Sequence, residues 1–125
     1  RAETAPLLLV GAFLNISKVV EALKNWEGDA LVLCAGWKGK PNLEDTLFAG
    51  CVIDELIGNY QVADDAALMA WQNYNIASKD LQTAVKNSSH VNRLLKLGIE
   101  KDIAFCLEKD KYQVLPGWKE GRLEL

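Results

Sequence analysis

Two neighbouring acids, Glu44 and Asp45, stand just behind a loop that carries Gly36, Lys38, Gly39, Lys40 and Asn42. Carboxylate oxygens are hard ligands suited to Mg²⁺. Glycines and lysines leading into a helix offer backbone N–H groups and positive charge to a phosphate. Joined, they would form a place where a divalent cation bridges acids to a phosphorylated anion. Each part also has a plainer explanation. Acids in a first helical turn stabilise the helix dipole by ~0.3–1 kcal/mol, and Asp45, three residues past Asn42, could close a capping box. The loop could be an ordinary connection with solvated lysines, since it lacks both the Gly-Lys-Ser/Thr ending of a P-loop and the dinucleotide fingerprint. Successive helical residues diverge by ~100°, so one direct ligand and one acting through water is the expected arrangement for an ion held by both acids.

A second group lies at Ser88, Ser89 and His90, with Arg93 three residues on. A lone histidine is commonly surface or core filler. Its functional reading is that Ser89, His90 and Arg93 present donors to an anion at another helix start. Asn15 divides the same way, helix cap or substrate donor, and Trp37 is either a lid or a packing residue. Cys34 ends an apolar run, but the residue six positions on is Lys40 and no arginine or histidine follows, which argues against a thiolate nucleophile.

These residues need a scaffold. Leu7–Val10 is an apolar run, followed by Asn15 and then Ile16, Val19, Val20 and Leu23 at helical spacing, closed by Glu27-Gly28-Asp29. Ala30–Cys34 reads as a second strand, buried on both faces. Strand, helix and strand make a βαβ unit with parallel pairing, so the fold class is α/β. Asn42 caps a helix through Leu43, Leu47, Cys51, Val52 and Leu56, stopped by Gly58. A helical block follows: from Asp64 or Asp65 through Tyr74, from Ser78 through Val85, from Ser88 or Ser89 to Gly98, and weakly over Glu100 to Leu107. Tyr112 to Leu115 alternates as a strand, Pro116-Gly117 turns, and Arg122 to Leu125 pairs back as an edge. Ligand crevices in such folds lie beyond the carboxyl ends of strands, here Gly11–Ser17 and Cys34–Asp45.

The chain has 125 residues, half of them apolar, with a net charge of −3 and three prolines, so residues 1–125 should fold as one domain. The acidic balance speaks against nucleic acid and anionic membranes as partners. The apolar stretch from Leu7 to Leu14 is too short to span a bilayer, and Glu3 before it, without a basic region or cleavage site, speaks against a signal peptide. The first residue is Arg1, so the sequence is expected to start after processing or within a longer chain. Cys34, Cys51 and Cys106 read as reduced, buried thiols of a cytoplasmic protein, with no zinc spacing.

Taken together, the sequence resembles the 2-phosphosulfolactate phosphatase family, the ComB-like proteins, in their C-terminal half. The carriers are Val10-Gly11-Ala12-Phe13-Leu14-Asn15-Ile16-Ser17, then Leu33-Cys34-Ala35-Gly36 with Asn42-Leu43-Glu44-Asp45-Thr46-Leu47-Phe48-Ala49-Gly50. Ser88-Ser89-His90 through Leu97-Gly98, and Asp102 to Cys106 leading to Leu115-Pro116, add to them. The resemblance implies a Mg²⁺-dependent phosphoric monoester hydrolase on a three-layer α/β/α fold with a largely parallel or mixed sheet, this chain covering about half of it. It further implies 2-phosphosulfolactate, a small phosphorylated anion, as substrate, and coenzyme M synthesis as the setting in methanogens. Glu44 and Asp45 become the catalytic and metal candidates. Asn15, Gly36, Lys38, Asn42, Ser89 and His90 are the substrate-contact candidates. The partner expected is the missing N-terminal half or a second chain, a homodimer included. The rival readings are a non-catalytic anion-binding module and a structural half that packs against a partner chain.

Overall fold

The computed structural model describes residues 4–125; Arg1 and Glu3, which entered the reading above, lie outside the described residues. A 3-10 turn at Phe13–Asn15 leads into α1 (Ile16–Lys24). Then come α2 (Leu43–Leu56), α3 (Asp65–Ala77), α4 (Leu81–Val85), α5 (Ser89–Lys96) and α6 (Glu100–Cys106). The helices sit where the apolar period placed them, and several caps follow from side-chain chemistry. Asp64 accepts from Ala67 N–H, Asp80 from Thr83 N–H and Ser88 from Val91 N–H, each relieving an orphan donor at about 1 kcal/mol. The fourth helix is therefore capped by Asp80, not started at Ser78.

The core joins Phe13, Ile16, Val19 and Val20 to Leu47, Cys51, Val52 and Leu56 of α2, Tyr74 and Ala77 of α3, Val85 and Val91. Helices α2 and α3 form its densest contact, at a glycine. A β-carbon on Gly50 would lie 2.1 Å from the Ala70 carbonyl oxygen, so the two helix backbones meet without side chains between them. Trp71 Nε1 donates to Asp54 Oδ1 at 2.9 Å on the outer rim of the same contact.

The strands differ from expectation. Two short strands, β1 (Gly117–Lys119) and β2 (Arg122–Glu124), pair antiparallel with Trp118 opposite Leu123. Their turn is Glu120-Gly121, both at positive φ, as a two-residue primed hairpin requires, and not Pro116-Gly117. The stretch 7–10 is extended and joins β1 through a single antiparallel bridge, Leu9 to Gly117, flanked by Val10 N–H to Pro116 O and Trp118 N–H to Leu8 O. Residues 112–115 form no ladder; they run beside the 3-10 turn, with Tyr112 N–H donating to Leu14 O. Among the described residues 30–34 pair with nothing. Val32 packs against the core, but Leu31 is 87% and Leu33 75% exposed, so this run is not buried on both faces. Among the described residues no strand lies beside it and no layer covers it. The fold is thus α/β, with a largely helical body and a small antiparallel sheet.

Of the three thiols only Cys51 is buried; Cys34 and Cys106 are exposed, because each belongs to a segment that the core covers on one side only. Burial pushes the Cys51 thiol above its ordinary 9.0, and burial together with the neighbouring Cys51 raises Tyr74 above 10.0. Lys109 donates to the Tyr74 hydroxyl at 2.7 Å. Burial works against its charge, but that hydrogen bond and Cys51 outweigh it and hold its pKa up. All three groups bind their protons more tightly folded than unfolded. Their contribution to stability is therefore complete below the ordinary thiol range and is lost as pH climbs through the folded values. Thermal melts should hold level between pH 7 and 8.5 and fall steeply above pH ~10; a melting temperature unchanged at pH ~10.5 would contradict this coupling.

Candidate functional site

The two crevices expected from the sequence have different fates. At Gly11–Ser17 the chain has already filled the helix start. Asp110 accepts from both the N–H and the hydroxyl of Ser17 at 2.7 Å, capping α1 across more than ninety residues of sequence. Asn15, the buried polar side chain of the core, donates from Nδ2 to Val10 O (3.2 Å) and Val114 O (3.0 Å) and accepts from Ala12 N–H (2.8 Å). Its amide hydrogens stitch two backbone segments, at Val10 and at Val114. It neither caps α1 through its side chain nor faces a cavity with a spare donor.

At the second crevice a loop meets the starts of two helices. Its loop closes on itself as a tight hairpin, with Trp37 N–H on Lys40 O (2.8 Å) and Lys40 N–H on Trp37 O (3.0 Å). Lys38 and Gly39 take positive φ at the tip, and Gly36 does so at the base, where a β-carbon would lie 2.5 Å from Lys40 O. Asp45 Oδ2 accepts from Gly36 N–H at 2.7 Å, so this acid fastens the loop to the first turn of α2 and does not box with Asn42. Asn42 occupies the cap position without a side-chain bond, so no capping side chain takes up the first N–H groups of α2. Lys38 is exposed, its ammonium 5.9 Å from the Trp37 ring centre. Asp45→Asn should speed amide exchange at Gly36 about tenfold, the loss of ~1.4 kcal/mol from a charge-assisted bond, with α2 unchanged. Exchange at Gly36 as slow as in the parent would show that the loop holds itself.

The start of α5 comes to the same place. Arg93 stacks its guanidinium carbon 3.9 Å from the Trp37 ring centre, tying α5 to the loop. Its Nη2 lies 2.6 Å from His90 Nδ1. A guanidinium only donates, so Nδ1 accepts and the ring proton is assigned to Nε2. That leaves no hydrogen for Glu44 Oε1, 3.3 Å from the same nitrogen. Both oxygens of Glu44 are accordingly shut away from water without a donor. The pairing of His90 with Glu44 is a close approach and not a hydrogen bond. Ser89 is exposed beside it, on the first turn of α5. Trp37 serves as packing for Arg93 on one face while remaining half exposed. The adjacent acids thus divide as helical geometry demands: Asp45 turns to the loop, Glu44 to α5.

Glu44, Gly36, Lys38, Asn42, Asp45, Ser89 and His90 therefore cluster where a loop and two helix starts meet, and Asn15 stands apart. Arg93, three residues past His90 on the same helix face, joins them through its stack on Trp37. Among the described residues no three of the acids, histidine and cysteines gather as a metal cage. Mg²⁺ needs less than a cage, being held by one or two carboxylates with substrate phosphate and water. A carboxylate with neither oxygen supplied with a donor fits that demand, so Glu44 suits the ion. Cys34 remains a poor nucleophile: partial burial of its sulfur, and then the nearby Asp45 carboxylate, push its thiol up from 9.0. Two clefts, of about 410 and 620 Å³, lie elsewhere, around Ser17 and Asp110 and around Trp26 and Tyr60; neither is lined by Glu44 or His90. The donor-free carboxylate belongs to the cluster and to neither cleft.

The family pattern described as 2-phosphosulpholactate phosphatase matches residues 1–121. A protein of Thermotoga petrophila named "Probable 2-phosphosulfolactate phosphatase" is 39% identical over 114 residues, covering 91% of this chain and 49% of that protein. Proteins with the same name from Caldanaerobacter subterraneus (30% identical, 97% of this chain, 51% of the relative) and Clostridium acetobutylicum (28%, 98% and 52%) align similarly. The chain spans about half the length of the curated relatives it matches.

Proposed function

The chain belongs to the 2-phosphosulpholactate phosphatase family, and from that premise we propose that it supplies one wall of a phosphoric monoester hydrolase site for a small phosphorylated acid. The substrate is that of the relatives' names, 2-phosphosulfolactate, with sulfolactate and phosphate as products. The observation that carries this reading is Glu44, whose carboxylate oxygens are buried without a donor at the start of α2, 3.3 Å from His90 at the start of α5. A fold tolerates such a group where something from outside completes it.

In this reading the N–H groups at the start of α2 and those of Ser89 and His90 cradle phosphate oxygens, with Lys38 adding charge at the rim. Arg93, held flat by Trp37, faces a second anionic group. His90 carries its proton on Nε2, where it can donate a hydrogen bond to the oxygen of the departing group as charge develops there. Asp45 and Asn42 shape the loop and the helix start, and Asn15 holds the segment beneath. Mg²⁺, when bound by Glu44, would neutralise phosphate charge and draw electron density from phosphorus. The attacking group lies outside these residues.

We further read the extended segments as parts of a three-layer α/β/α fold with a mixed sheet, completed by polypeptide that this chain does not contain. Among the described residues no helix is long and apolar enough to cross a membrane, and the three free thiols fit a cytoplasmic protein. The test is phosphate release from 2-phosphosulfolactate, with and without Mg²⁺, by a polypeptide carrying this chain. Turnover that chelation abolishes is the expected result. Tight binding of the substrate in calorimetry with no release above blank would instead establish an anion-binding module and overturn the hydrolase.

A further inference from the structure

We infer that Arg93, positioned by Trp37, determines specificity at the proposed site by binding the carboxylate of a 2-phosphorylated acid, a role that rests on the phosphatase reading. Arg93 is a half-buried cation without an acid. Among the described residues no carboxylate lies within ion-pair reach of it, and the polar partner of its side chain is His90 Nδ1, 2.6 Å from Nη2. A guanidinium carries more N–H donors than that one bond uses, so most of its fork is left for a group from outside. Its posture is set as well. At 3.9 Å from the Trp37 ring centre the guanidinium carbon is in stacking contact, and Trp37 is itself held by two backbone bonds with Lys40. Gly36, at the base of the same hairpin, is tied to Asp45, so the platform under Arg93 is fastened to the start of α2.

Charge alone would attract any anion; the stacked geometry selects among them. A guanidinium lying on an indole face offers paired N–H groups in its own plane, and a carboxylate meets such a pair with two coplanar oxygens. A sulfonate sets its third oxygen out of that plane, where the fork has no donor and where one side is the negative face of the indole. Placement agrees with this choice. Arg93 stands one turn into α5, whose first N–H groups are assigned to the phosphate, and its contact with His90 shows the side chain leaning back toward that helix start. In 2-phosphosulfolactate the carboxylate is bonded to the carbon that bears the phosphate oxygen, so it lies beside the phosphate. Arg93 is then the group that touches substrate, and Trp37 is a positioning residue. The substrate class read by this pair is 2-phosphorylated carboxylic acids, with the sulfonate left to other contacts.

The test follows phosphate release by a polypeptide carrying this chain from three esters. These are 2-phosphosulfolactate, 2-phospholactate, which lacks the sulfonate, and the phosphate ester of 2-hydroxyethanesulfonate, which lacks the carboxylate. Arg93→Gln should raise KM about 30-fold for the first two and less than about twofold for the third, as expected for loss of a charged hydrogen-bonded contact. Arg93→Lys keeps the charge without the planar fork and should leave KM about tenfold raised. Trp37→Ala should raise KM for the two carboxylate-bearing esters about tenfold with kcat within about twofold, and Trp37→Phe, which keeps a ring face, should restore KM to within about threefold. A penalty for Arg93→Gln that is equal on all three esters, or confined to those with a sulfonate, would overturn the inference. So would Trp37→Ala lowering kcat alike for all three, the mark of a merely structural contact. Calorimetry with two phosphate-free acids, sulfolactate and 2-hydroxyethanesulfonate, separates this role from the hydrolase. Sulfolactate binding weakened about tenfold or more by Arg93→Gln, with 2-hydroxyethanesulfonate unaffected, would uphold the carboxylate contact even where no ester is hydrolysed. Sulfolactate binding indifferent to Arg93→Gln would overturn it even where hydrolysis proceeds.

Discussion

Glu44→Gln is expected to lower phosphate release at least a hundredfold, in a polypeptide carrying this chain, while the melting temperature rises. The two effects share one cause. Both oxygens of Glu44 are buried without a donor, and His90 Nδ1, the nearest nitrogen, is turned to Arg93. A carboxyl group so placed has lost its water without gaining a donor, and its amide isostere should relieve about 1 kcal/mol, some 3–5 °C for a chain of this size. The same group is what a cation or a polar substrate would find, and the loss of one such contact commonly costs 10²–10³ in rate. Scanning calorimetry beside the release assay checks both. A variant that is less stable and fully active would reduce the carboxylate to a helix-start residue.

Gly50→Ala is expected to lower the melting temperature by about 6–10 °C. Its new methyl would stand 2.1 Å from Ala70 O and 2.6 Å from Tyr74 Cβ, and neither belongs to a side chain that can swing aside. Alanine gains ~1 kcal/mol of helix propensity over glycine, but separating α2 from α3 strips contacts from Tyr74, Cys51 and Val52 in the middle of the core. Overpacking at such a place costs about 3 kcal/mol, which outweighs the propensity. Gly50→Val should fail to fold at 37 °C. A melt within 2 °C of the parent for Gly50→Ala would show that the helices can part freely.

Helices were legible because their signals are local. The spacing of Ile16, Val19, Val20 and Leu23, or the placing of Asp64 and Ser88 before apolar periods, needs no knowledge of the rest of the chain. Strands were legible as extended segments but not as a sheet, because a ladder needs a partner. Leu31 and Leu33 lack one among the described residues, and Leu9 finds Gly117 more than a hundred residues away. Long-range partners also took over two caps. Asp110 displaced Asn15 at α1, and Gly36 drew Asp45 away from Asn42 at α2. The site was readable as residue types near helix starts. The division of the two acids, the Arg93 stack on Trp37 and the tautomer of His90 are facts of three-dimensional placement.

The segment 110–118 fastens the front of the molecule bond by bond: Asp110 on Phe13 and Ser17, Tyr112 on Leu14, Val114 on Asn15, Pro116 on Val10 and Trp118 on Leu8. These residues thus secure a stretch synthesised about a hundred positions ahead of them. Until they emerge, the apolar run at 7–10 travels unclasped, within reach of chaperones and proteases.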